Sequence, residues 1–196
     1  MRARSVGCLT AACLALAACD DDLPTRPGID ALEPSAASQA PDVAASASGG
    51  GNWDLGGFDL DGDGIHDPIG NVLAFNAVRH ADGTVHGQMT YQQSALGESF
   101  RFHGTVTCIG VYEGNRAKFG GPITYSDDET IPVGVFMWFT VVDNGQGAGS
   151  PPDRSSILGI GDHAANEAFC ASAAPPNPRF SADITSGNIS VGDGSD

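Results

Sequence analysis

The chain is short of positive charge. Nine lysines and arginines stand against 24 aspartates and glutamates in 196 residues, a formal net charge of −15. Such a surface repels phosphate backbones, so nucleic acid is excluded as a partner, while divalent cations and basic surfaces are accommodated. Solubility alone accounts for much of the bulk charge. Past the first 19 residues no apolar run is long enough to cross a bilayer as a helix. There is no G-x-S-x-G elbow, no phosphate loop and no other nucleophile motif, so the domain is expected not to be an enzyme. Charged residues make up only 17% and glycines number 27, which suits a loop-rich β protein better than a helical one. The length allows one domain with a real core.

What is present begins with Arg2 and Arg4, an apolar run, and Leu16-Ala17-Ala18-Cys19. This order reads as a signal peptide over 1–18. Its ending resembles the bacterial lipobox, and the resemblance implies cleavage before Cys19, a diacylglyceryl group on its sulfur, and a lipid-anchored place in the cell envelope outside the cytoplasm. The alternative is an ordinary secretory signal cut nearby. Losing two arginines and no acid takes the formal charge from −15 to −17. Residues 19–51 are rich in Asp, Pro, Ala, Ser and Gly without hydrophobic period, and read as a flexible tether. Of five cysteines, Cys8 and Cys13 leave with the signal and Cys19 carries lipid. Cys108 and Cys170 remain, in a compartment where disulfides persist. Their bond closes a loop of about 60 residues, worth about 4 kcal/mol in the chain-entropy model. Two separate buried thiols are the alternative.

Residues 71–192 read as a β domain, with 193–196 a disordered tail. Leu73, Phe75 and Ala77 alternate inward. A three-residue loop at Ala81-Asp82-Gly83 puts Phe75 opposite Met89 and Leu73 opposite Tyr91. A four-residue turn at Ser94–Gly97 pairs Tyr91 with Phe100 and Met89 with Phe102. That register makes His86 and His103 diagonal neighbours on the polar face, without the further ligands a metal site needs. Phe100, Phe102, Val106 and Cys108 share a face, and a two-residue turn at Gly114-Asn115 pairs Cys108 with Gly121 and Gly110 with Phe119. Val135–Val142 is apolar on both faces and reads as a covered strand. Asp162 caps a short helix through Phe169. Phe180–Thr185 and Asn188–Val191 form a last hairpin. The fold expected is all-β, a small antiparallel barrel or sandwich of about eight strands with one short helix.

The segments HGTVTC (His103–Cys108), GGPIT (Gly120–Thr124), VVDNGQG (Val141–Gly147), PPD (Pro151–Asp153) and FC (Phe169-Cys170) together resemble an uncharacterised domain of secreted bacterial proteins. The resemblance implies the fold and the disulfide, and no activity.

One loop carries candidate chemistry. Residues 52–70 hold Asp59-Leu60-Asp61-Gly62-Asp63-Gly64-Ile65-His66-Asp67, whose D-x-D-x-D-G-x-x-D spacing is similar to an EF-hand-type or thrombospondin-repeat calcium loop. Asp59, Asp61 and Asp63 would give side-chain oxygens, Ile65 its carbonyl, and Asp67 the ninth-position ligand. Gly70 stands where an EF-hand has its bidentate Glu, so the site should be weak and structural, fixing the junction of tether and first strand. A solvated acidic turn is the bland alternative.

The function expected is a non-enzymatic binding or envelope-structural module, in contact with the membrane through its lipid and with an unidentified protein or small-molecule ligand. The first alternative is a carrier whose barrel holds a small apolar ligand. The bulky residues read as inward (Phe75, Met89, Phe100, Phe102, Phe119, Trp138) argue for a filled interior instead. The second is a hydrolase, if Asp143, Asp153 and Glu129 converge in a cleft.

Overall fold

The computed structural model describes residues 42–173 and 181–194. Among these, β1 (Val43–Phe58), β2 (Asp67–His80), β3 (Val85–Ala95) and β4 (Glu98–Thr105) form an antiparallel meander. β5 (Cys108–Tyr112), β6 (Arg116–Ser126), β7 (Phe136–Val142), β8 (Arg154–Ser156) and β9 (Gly159–Gly161) follow, then α1 (His163–Ala171), β10 (Ser181–Asp183) and β11 (Ser186–Gly192). They make one curled antiparallel sheet, a half-barrel, in the order β10-β8-β7-β6-β4-β3-β2-β1-β11, with β5 on β6 and β9 on β7. The expected class holds.

The sheet begins earlier than its composition suggests. The proposed tether is extended strand from Val43 on, and its residues 19–41 lie outside the described part. Ala45, Ala47, Trp53 and Leu55 face inward at period two, with Gly49 and Gly51 between them. The triple glycine is where β1 is squeezed between its neighbours. A Cβ on Gly49 would stand 2.1 Å from Asn188 O, and one on Gly50 2.3 Å from Leu73 O. Only glycine admits that approach.

The β2–β3 register is as read, with Phe75 opposite Met89 and Leu73 opposite Tyr91. The β3–β4 turn is tighter than expected: Leu96 (φ 51°) and Gly97 (φ 83°) are its two central residues, so Tyr91 faces Phe102 and Met89 faces Gly104. Both φ values are positive, as the hairpin-favoured turn requires. A slip of two keeps every side chain on its face. At β5–β6 the slip is one. The loop has three residues, Cys108 pairs with Gly120, and Ile109 with Phe119. The cause lies upstream, at a kink between β4 and β5 where Val106 N bonds Gly87 O and Thr107 N bonds Gly120 O. Beyond it Ile109 points into the core and Cys108 points out.

Cys108 therefore meets α1 on the outer surface, where it is bonded to Cys170 with 6.2 Å between the Cα atoms. Asp162 caps the helix, its Oδ1 accepting from Ala165 N at 2.8 Å. The outward side chains of β6 and β7 lie beneath α1. Trp138 is among them, stacked on Phe169 at 5.6 Å between centroids. It does not fill the barrel; Met137, Phe139 and Val141 do, each fully buried. Lys118, the chain's one lysine, is buried on the same outer face. Its Nζ donates to Phe169 O at 3.1 Å and to Ser172 O and Oγ, a cation set against the negative end of the helix. Burial lowers its pKa. Inside, Phe75 stacks on Phe119 at 4.3 Å, and Tyr91 meets Phe139 at 5.3 Å.

β10 and β11 do not form the expected hairpin. They are successive pieces of one bent segment: β10 pairs with β8, and β11 pairs with β1. At the bend Ile184 N donates to Asp153 O and Thr185 N to Asn52 O, both at 2.8 Å. Among the described residues no strand pairs with the other edge of β11. There Asp153 Oδ2 accepts from Ile189 N at 2.7 Å, and Asp143 Oδ2 from Val191 N at 3.0 Å. Asp153 is buried, and its Oδ1 also accepts from Asn144 N.

Asp153→Ala should therefore lower unfolding free energy by about 2–4 kcal/mol, since two backbone donors lose a charged acceptor. Glu129→Ala, in an exposed loop, should change it by less than about 0.5 kcal/mol. Urea melts of the two variants check this, and equal losses would refute the assigned role of Asp153.

Candidate functional site

The half-barrel has two unlike ends. At one lie the β2–β3 and β5–β6 turns and the β7–β8 loop. At the other lie the β1–β2 and β6–β7 loops, the β3–β4 turn and the β8–β9 junction. At this second end the packed interior gives way to a cavity of about 300 Å³. Tyr91 and Phe102 form its floor, Leu55, Ile69 and Phe100 part of its wall, and Phe58 and Ile160 its lip. Leu55, Phe58 and Ile69 come from residues 52–70, the stretch read as a calcium loop.

The floor is apolar with one fixed polar device. Tyr91 Oη donates to Asn71 Oδ1 at 2.5 Å. Asn71 is itself buried, and its Nδ2 donates to Ile69 O at 2.8 Å and to Trp53 O. Burial raises the Tyr91 phenol well above its ordinary pKa, so it stays a neutral donor. Gln93, also in the lining, reaches Asn71 Oδ1 at 3.5 Å. The site is thus mostly apolar, and the polar groups at its base are uncharged.

Exposed apolar side chains gather at the same end. Phe58, Leu60 and Ile65 come from β1 and the β1–β2 loop, Leu96 from the β3–β4 turn, Val133 from the β6–β7 loop and Ile160 from β9.

The Asp59–Asp67 loop is the tip of the long β1–β2 hairpin, not a junction between tether and first strand. Asp59, Asp61 and Asp67 place ligand oxygens within 4.8 Å of one another, a cluster that can hold a metal ion. Asp63, expected as a ligand, is not part of it; its Oδ1 accepts from Ile65 N at 2.7 Å. Asp59 accepts from Gly62 N and Gly64 N, and Asp67 from Leu60 N at 2.9 Å, so the loop is folded by its own acids. Gly62 and Gly64 have φ of 81° and 85°, the left-handed turns such a wrap needs.

The other candidates separate. His103 sits opposite Thr90, its Nδ1 3.0 Å from the hydroxyl, while the His86 ring lies 5.7 Å from that of His80. The two-residue shift at β3–β4 undoes the diagonal pair. Asp143 and Asp153 are engaged at the closure of the sheet, and Glu129 lies in the β6–β7 loop, at the opposite end of β7 from Asp143. The three carboxylates do not converge. Cys19 falls outside the described residues.

Neither a scan against protein-family models nor searches of the curated proteins and of the solved structures find a match to this chain.

Proposed function

We propose that the domain is a non-enzymatic binding module of the cell envelope, anchored by a lipid on Cys19, which takes a small apolar molecule into the mouth of its half-barrel. The observation that carries this reading is the cavity of about 300 Å³ above Tyr91 and Phe102. Small-molecule sites have this character: concave, mostly apolar, with few polar groups to set orientation. The expectation of a filled interior supported a structural module; a barrel packed at one end and open at the other supports the carrier. The Tyr91–Asn71–Gln93 group would orient whatever enters, since each member already holds another in place.

The β1–β2 loop, in this reading, binds calcium weakly through Asp59, Asp61 and Asp67. Three close carboxylates repel one another unless a cation offsets them. Phe58, at the lip, directly precedes Asp59. An ion there would stiffen the hairpin tip and so the lip, with no part in catalysis.

Three measurements bear on these statements. N-phenyl-1-naphthylamine, a neutral apolar fluorophore, should bind the mature protein at one saturable site, and Leu158→Trp, which fills the mouth from its lining, should abolish the signal while leaving the fold intact. Unsaturable fluorescence, or none, would sink the carrier reading. Calorimetry should show one calcium site with a dissociation constant on the order of 0.1–1 mM. Asp59→Asn combined with Asp61→Asn should remove it, and an absence of heat and thermal shift at several millimolar calcium would dispose of the site. Cells fed a palmitate analogue should label the wild-type chain and not Cys19→Ser; equal labelling would end the lipid-anchor claim.

A further inference from the structure

We infer that the mouth selects amphiphiles with a cationic head, a single apolar tail carrying an amine or quaternary ammonium group. The inference rests on the reading of the mouth as an apolar binding site and adds the charge of the ligand to it.

Charge is distributed unevenly around this opening. The β1–β2 loop brings Asp59, Asp61, Asp63 and Asp67, the start of β4 brings Glu98, and the β6–β7 loop brings Asp127, Asp128 and Glu129. Eight carboxylates thus border one end of the domain. Among the described residues, Arg101 is the single arginine or lysine near it. Arg101 lies exposed on the outward face of β4, and its guanidinium is directed to Gln92 Oε1. Arg79, Arg116 and Arg154 sit at strand ends on the far side of the barrel.

One of the acids belongs to the cavity itself. Asp128 lines it beside Ile131 and is half-buried. Its Oδ1 accepts from Thr130 N at 2.8 Å and from the Thr130 hydroxyl at 2.6 Å, which fixes the carboxylate in place. Its Oδ2 has no donor among the described residues. A partly desolvated carboxylate beside an apolar wall is costly until a cation meets it. An anionic head would face eight acids, with Arg101 turned to Gln92 on the outer face and no arginine or lysine in the lining to receive it, and a neutral head would leave the Asp128 charge unanswered. A tail in the cavity and a cation at Asp128 satisfy both surfaces at once, and the surrounding acids raise the local concentration of such a molecule.

The test uses three ten-carbon amphiphiles below their micelle concentrations: decyltrimethylammonium, decyl maltoside and decanoate. Each is titrated into the full mature protein in the presence of chelator, with calorimetry and displacement of N-phenyl-1-naphthylamine as readouts. Decyltrimethylammonium should bind about tenfold or more tightly than either other probe, and this preference should shrink several-fold between low salt and 0.5 M salt. Asp128→Asn with Glu129→Gln should cut the affinity for the cation at least about fivefold more than it cuts that for the maltoside. If the maltoside binds as well as the cation, or the preference ignores salt, the cationic selectivity is refuted while the apolar site survives. If none of the three binds or displaces the fluorophore, the apolar site fails and the inference with it. The salt dependence is read on the unaltered chain, so the outcome does not hinge on folding of the double variant.

Discussion

The structure depends on how the free edge of β11 is satisfied. Curling a sheet brings its two ends together, and those ends must either pair or leave backbone groups bare in a closing interface. Here a single segment, residues 181–192, serves both ends by changing partner at Ile184 and Thr185. Pairing alone cannot complete the closure, because β8 is three residues long and β11 is seven. The N–H groups of Ile189 and Val191 extend past it. Asp153 and Asp143 supply the missing acceptors from the loop between β7 and β8. Two carboxylates stand in for a strand. Ile189 and Ile184, buried beside them, depend on that substitution for their place in the core.

Closure on this side also decides where the barrel can be open. The end that holds Asp143 and Asp153 is drawn together, and its interior is filled by Phe75, Phe119, Phe139 and Val141. The opposite end has no such tie. Its strands run out into the β1–β2 and β6–β7 loops, and Ile157 and Leu158 stand between β8 and β9 without a ladder of their own. A short β8 leaves the wall low there, and the cavity occupies the gap. The outer layer follows the same economy of short pieces. The disulfide, the Trp138–Phe169 stack and Lys118 pin one short helix over the outward face of β6 and β7.

Much of this was legible in the residues, and the failures have specific causes. Period-two runs fixed the inside and outside of β2, β3 and β4, because a hydrophobic alternation is hard to misread by one. The β3–β4 neighbours came out wrong by two, a slip that pattern cannot detect since it preserves both faces. The Cys108 face came out wrong because the kink at Val106-Thr107 changes parity without any glycine or proline to mark it. The disulfide survived that error, since it was argued from compartment and count and not from orientation. The first half of β1 was missed because its inward residues are Ala45, Ala47, Gly49 and Gly51, too small to show a hydrophobic period. Their smallness is what lets three strands approach there. The last hairpin was misread because a segment that serves two partners looks, locally, like two strands and a turn. The mouth was not legible at all. Its lining is collected from six separate stretches of chain, and nothing in the sequence says which ends of which strands share a rim.

The acid excess looks different once the fold is known. Read from composition it is a matter of solubility, or of attraction for cations. Among the described residues many of these side chains are hydrogen-bond acceptors for backbone: Asp82 for Thr84 N, Asp127 for Arg101 N, Asp143 for Gly145 N, Asp162 for Ala165 N, and the β1–β2 acids for one another's neighbours. Thr84, through its hydroxyl and its N–H, holds the Asp82 carboxyl below its ordinary pKa. A β domain with long, glycine-rich connections leaves many N–H groups without ladder partners, and aspartate is the side chain short enough to reach them. Net charge is then largely a by-product of irregular backbone, and carries little functional meaning taken whole. What carries meaning is the remainder, carboxylate oxygens that no backbone donor claims. Asp128 Oδ2 is one, and it borders the opening where the core is incomplete.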